Sequence, residues 1–190
     1  MAESGKNSRK LPPISKLEAA RRQIEFAISA HFANGDLFAI HTVTSAAWGI
    51  LRALAEMRGS VRSHQAMLDI IRPGMEREFW SYMNRASNFL KHADRDPDAM
   101  LDDVSEEIND SAIFVAIGYY ADLSGSPLSR TMELFTMWYA CLHPHLMTDE
   151  FRSQVLGMVP QEELERVRKA PRSVQLEAGL GLIKRIRGSG

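Results

Sequence analysis

Asp36-Leu37-Phe38-Ala39-Ile40-His41-Thr42-Val43-Thr44-Ser45-Ala46-Ala47-Trp48-Gly49-Ile50-Leu51-Arg52-Ala53-Leu54-Ala55-Glu56-Met57 is the stretch on which the fold turns. Asp36 is a good N-cap, because its carboxylate can accept a free N–H of the first turn. Beyond it, Leu37, Ile40, Val43, Ala46, Ala47, Trp48, Ile50, Leu51 and Leu54 leave no broad polar face. A helix that is apolar all round belongs in the middle of a bundle. The spacing therefore predicts a central helix over 36 to 57, and its neighbours have to be found on both sides in the sequence.

Upstream, Ser15-Lys16-Leu17-Glu18 forms a capping box, and Leu17, Ala20, Ile24, Ala27, Ile28 and His31 recur at helical spacing until Gly35. The first helix is expected over about 16 to 33. Downstream, a short helix is expected over 61 to 71, stopped by Arg72-Pro73-Gly74, and a third long helix from about Met75 to His92. After a loop over 94 to 103 a fourth helix starts at Asp103 or Ser105 and ends at Ser124-Gly125-Ser126-Pro127. A fifth spans about Ser129 to Leu142, before Pro144. Shorter helices follow near 148 to 158, 161 to 169 and 173 to 186, the last two after Pro160 and Pro171. No bounded run of alternating β-branched residues interrupts them. The expectation is all-α: a multi-helix bundle of five main helices with shorter C-terminal ones.

The chain has 190 residues, 45% hydrophobic, and a formal net charge of −1. Residues 1 to 14 are polar and basic and read as a disordered arm; 15 to 187 read as one helical domain, with a core bundle over 15 to 146 and C-terminal helices over 148 to 187; 188 to 190 read as a flexible end. The lone Cys141 cannot pair internally, and no signal-like apolar run opens the sequence. The expected compartment is the cytoplasm, with no membrane partner. The small net charge hides segregation: residues 94 to 133 are strongly acidic, and both ends are basic. That pattern suits association of basic ends with an acidic centre in a homodimer, and leaves room for RNA or another protein as partner.

The most informative chemistry lies in Arg85-Ala86-Ser87-Asn88-Phe89-Leu90-Lys91-His92. At about 100° per residue, Arg85, Asn88 and His92 share one stripe of the third helix. Placed at a helix C-terminus, such a stripe can simply complement the helix dipole. It can also serve phosphate chemistry, since arginine grips a phosphate through two hydrogen bonds and histidine titrates near neutrality. RNA supplies its own nucleophile in the 2′-hydroxyl, so a base and a positive charge can cleave it without metal.

Arg-x6-His at the end of a helix in a small all-α protein resembles the HEPN superfamily, whose motif is an arginine followed after four to six residues by histidine. The resemblance implies a dimeric helical bundle and a metal-independent endoribonuclease, with Arg85 as phosphate ligand, His92 as base and Asn88 as polar neighbour. Ala86 departs from the motif, in which a polar residue follows the arginine. Ala39-Ile40-His41-Thr42, together with Asn88 to Asp98, also resembles a family of bacterial all-α proteins to which no reaction is attached, over roughly residues 15 to 125.

A second candidate is a polar pocket in the bundle. If the first two helices turn at Gly35-Asp36, His31 and His41 lie at similar heights and can approach each other, with Thr44 beside them. The plainer alternative is that each histidine is a satisfied core residue. Metal sites are poorly supported. Asp94-x-Asp96-x-Asp98 lacks the glycine and the final glutamate of a calcium loop, and Cys141-Leu142-His143-Pro144-His145 lacks a second ligand pair. Cys141 is expected to pack as a small apolar residue, and His143 and His145 to cap the helix or face solvent. No cofactor is expected. The leading expectation is a homodimeric interaction or ligand-binding module; the alternatives are the RNA endonuclease and a metal-binding helical protein.

Overall fold

The computed structural model describes residues 12–59, 65, 69–71, 73–91, 97–102, 104–157 and 159–188. Among them are eight helices: α1 (Lys16–Phe32), α2 (Leu37–Met57), α3 (Glu76–Lys91), α4 (Ile108–Ser124), α5 (Arg130–Leu142), α6 (Asp149–Leu156), α7 (Gln161–Lys169) and α8 (Arg172–Gly188). The described residues form no strand; Ile71 and Met147 make one isolated antiparallel bridge. The all-α bundle is thus as the periodicity predicts. The basic arm up to residue 11, the short helix expected over 61 to 71 (residues 65 and 69–71 apart) and positions 94–96 and 103 of the expected 94–103 loop lie outside the described residues.

The local signals act largely as expected. Ser15 Oγ accepts from the Glu18 amide at 3.0 Å, and Asp36 caps α2 by accepting from the Ala39 amide at 2.8 Å. The other half of the capping box is diverted. Glu18 turns to Arg21 and Arg22, whose hydrogen bonds hold its carboxyl down at about 2. The turn between α1 and α2 uses Asn34, not Gly35, for its left-handed residue, at φ 54°; asparagine tolerates that region better than most side chains.

The centre of the bundle is α4, not α2. Nearly every residue of α4 from Ile108 to Leu123 is buried, and it packs on α1, α2, α3 and α5. One face of α2, carrying Ile40, Ala47, Trp48 and Leu51, enters the core, while Phe38, Thr42, Ala46, Gly49, Ala53 and Met57 lie exposed. The expectation of a fully enclosed α2 therefore fails. Its outer side, exposed among the described residues, is largely apolar apart from Arg52 and Glu56, and composition alone could not separate the two cases.

The C-terminal helices are part of the same structure. Helix α8 packs on α1 and α5, burying Leu176 and Ile183 in the main core. Gly179 lets this approach happen, because a side chain there would collide with the ring of Phe32. Phe32 in turn meets Trp138 edge-on, ring centroids 5.1 Å apart. A smaller apolar cluster of Ala140, Cys141, Leu156 and Leu164 holds α5, α6 and α7 together.

Candidate functional site

The first turn of α4 carries three consecutive polar residues, Asn109, Asp110 and Ser111, all of them buried. Successive residues on a helix point about 100° apart, so the three side chains fan toward three different neighbours. Buried polar groups have to find partners, and each of these does. Asn109 Oδ1 lies 3.1 Å from His41 Nδ1, and its amide nitrogen donates to the Leu37 carbonyl at 3.0 Å. Ser111 Oγ and the Tyr139 hydroxyl are 2.9 Å apart, and burial pushes that phenol well above its ordinary range.

Asp110 is the hub. Its side chain is 0% exposed, and it is met by three cationic or potentially cationic groups from three parts of the chain. His31 Nε2, from α1, lies 3.0 Å from Oδ1. His143 Nε2, just past α5, lies 3.0 Å from Oδ2. Arg172, the first residue of α8, closes a two-pronged grip, Nη2 to Oδ1 at 2.6 Å and Nη1 to Oδ2 at 3.0 Å. This is the fork geometry in which arginine binds carboxylates best. Burial pushes the Asp110 carboxyl upward; the bonds from His143, His31 and Arg172 outweigh it and hold the group well below the usual carboxylate range. Arg172 also stacks over Trp138, 5.1 Å from the ring centroid, so the cation is shielded on one side by an aromatic face.

Two hollows flank this hub. One of about 50 Å³ is lined by His31, Asn109 and Arg172 with Glu106 and Leu176; it is the size of one or two waters. The other, of about 300 Å³, is lined by Met75, Phe79 and Leu146 on its apolar side and by Glu78, Glu107, Ser111, His143 and His145 on its polar side. His143 is therefore held through Nε2 by a buried carboxylate while lining a hollow of ligand size. Orientation of an imidazole by a carboxylate fixes which nitrogen carries the proton and leaves the other for a ligand.

The residues expected to form sites fare differently. His31 and His41 are both buried, but they engage adjacent residues of α4, Asp110 and Asn109, and do not jointly line either of these hollows. Thr44 donates to the Ile40 carbonyl of its own helix at 2.8 Å. Of the three expected pocket residues, His31 lines one of these two hollows. His143, expected to cap or to face solvent, is instead a buried partner of Asp110, whereas His145 is exposed. Cys141 packs inside as expected, and burial raises its thiol. Arg85 and Asn88 are exposed on α3, with Arg85 donating to the Asp102 carbonyl at 2.6 Å; His92 lies outside the described residues. No group of three or more metal-ligating side chains occurs among the described residues. Arg172 and Asp110 are what sequence reading missed. The available signal was Asp110 itself, the one charged residue from Ile108 to Ala121. Comparison with protein-family models, with curated proteins and with solved structures returned no match.

Proposed function

We propose that the chain is a ligand-binding module whose site is the hollow over His143. The observation that carries this reading is the pairing of a buried, carboxylate-oriented imidazole with an adjacent hollow of about 300 Å³. Apolar walls supplied by Met75, Phe79 and Leu146 face a polar side that holds Glu78 and Glu107. That division fits a small amine with an apolar body: the carboxylates attract the cation, and the walls take the hydrocarbon. Benzylamine and the uncharged benzyl alcohol are suitable paired probes for calorimetric titration and thermal shift. The amine is expected to bind and raise the melting temperature, and the alcohol to do so at least tenfold more weakly. A Glu78→Gln/Glu107→Gln protein should lose that preference. Equal behaviour of the two probes, or no binding by either, refutes the reading.

A second reading keeps the endoribonuclease. It is favoured by a separate observation: Arg77, Ser81 and Arg85, spaced four apart on α3, line one open groove with Gly74 and Glu78. Two guanidiniums and a hydroxyl along one face suit a phosphate backbone. Under this reading Arg85 steadies the phosphate and His92 takes the proton of the 2′-hydroxyl. RNA should then be cut in the presence of a chelator while DNA stays whole, and Arg85→Ala and His92→Ala should each stop the cleavage. RNA left intact by the unaltered chain removes this reading.

A further inference from the structure

Another hollow, of about 440 Å³, lies between α6 and α7 and shares no residue with the two beside Asp110 or with the groove on α3. Its volume falls within the range of small-molecule sites, roughly 300–1,000 Å³. Pro144, Leu156, Val159 and Leu164 supply an apolar lining, and Leu156 and Leu164 belong to the buried cluster that holds α5, α6 and α7 together. Two arginines, Arg152 from α6 and Arg168 from α7, line the same space.

Neither guanidinium is fully used by the chain. Arg168 donates through Nε to the Cys141 carbonyl at 3.1 Å, and its Nη1 and Nη2 have no hydrogen-bond partner among the described residues. Arg152 donates through Nη2 to Asp149, while its Nε is buried without a partner. Buried donors are normally satisfied, so an orphan on a cation that lines a cavity points to an acceptor from outside the chain. The charge count says which kind. Among the described residues that line the hollow, Asp149 is the one acid; Glu163 and Glu165 of α7 are held by Arg166 and Lys169. Two cations and one anion leave a single positive charge. A carboxylate balances it and suits the paired N–H groups of a guanidinium, and the apolar lining takes the body that carries it.

We propose that the hollow between α6 and α7 is a binding site for a small carboxylate with an apolar body. The inference is independent of the ligand reading above, which uses other residues and a ligand of opposite charge.

Calorimetric titration of the full chain should detect benzoate. Benzyl alcohol, its uncharged counterpart, and acetate, which lacks the ring, should each bind about tenfold more weakly or less. Arg152→Gln/Arg168→Gln should lose the preference for benzoate over benzyl alcohol while keeping its helical circular dichroism. Arg168 also ties α7 to the Cys141 carbonyl, so a second variant separates lost binding from lost structure. Asp149→Asn removes the competing charge beside Arg152 and should tighten benzoate about two- to fivefold, a gain that damage to the fold does not produce. Glu78→Gln/Glu107→Gln should bind benzoate as the unaltered chain does, which keeps this site distinct from the amine reading. No benzoate binding up to about 20 mM, benzyl alcohol equal to benzoate, phenyl phosphate bound more tightly than benzoate, or no gain in Asp149→Asn would each overturn the proposal. So would loss of benzoate binding in Glu78→Gln/Glu107→Gln or in Arg77→Gln/Arg85→Gln.

Discussion

Replacing Asp110 by asparagine keeps the shape of the side chain and removes the property on which the hub depends. Each carboxylate oxygen receives two N–H groups, Oδ1 from His31 and Arg172 and Oδ2 from His143 and Arg172. Asparagine has one such oxygen. Its amide would point two hydrogens at an imidazole nitrogen and a guanidinium. The imidazole can adapt by moving its proton to Nδ1 and accepting from the amide. Arg172 cannot, because it has no acceptor form. Removing one partner of a buried ion pair costs about 3–5 kcal/mol. Arg172 retains 23% exposure, which sets the expectation at the lower end, about 3 kcal/mol. For a chain of this size that corresponds to a melting temperature lower by roughly 6–12 °C. Urea unfolding followed by circular dichroism reads the loss directly, with an unchanged m-value as the sign that both states stay the same. Arg172→Met should cost a similar amount, and the double variant clearly less than the two together, because the second change removes the charge that the first left stranded. A loss under about 1 kcal/mol for Asp110→Asn, or strict additivity in the cycle, would refute the argument that the hub acts as one unit.

The same group governs behaviour in acid. Its folded pKa lies below the unfolded value, so its contribution is complete above the ordinary carboxylate range and is lost as the pH falls through the folded value. Urea midpoints measured from about pH 5 downward should therefore fall more steeply for the unaltered protein than for Asp110→Asn; parallel curves would contradict this. Gly179→Ala should destabilise by about 1–3 kcal/mol through overpacking against Phe32, and Phe32→Leu in the same chain should recover part of that loss in thermal melts.

The helices were legible because their signals are local. Ser15, Asp36, Ser129 and Thr148 each accept the backbone N–H their cap positions imply, and the prolines fall between elements. Which helix is enclosed was not legible. Both α2 and α4 are apolar on most sides, and only the packing shows that four neighbours surround α4 while one side of α2 stays exposed among the described residues. The site was hidden for a related reason. Asn109-Asp110-Ser111 reads as an ordinary polar first turn, since such residues are common there. The partners of Asp110 sit at His31, His143 and Arg172, on separate elements, and no short-range pattern connects them. His143 illustrates the point: beside Cys141 and Pro144 it looks like the end of a helix, and only the arrival of α4 next to it makes it a buried donor.

Arg172 is synthesised 62 positions after Asp110. At ordinary elongation rates, roughly 3–12 s separate the two on the ribosome. During that interval α1, α2 and α4 can already gather, but the carboxylate they would enclose has only histidines to answer it. Enclosing α4 before Arg172 arrives would bury that carboxylate without its two-pronged partner. The counter-charge of Asp110 thus stands on a helix that follows in sequence the elements it joins, so burial of one carboxylate couples α8 to the earlier bundle.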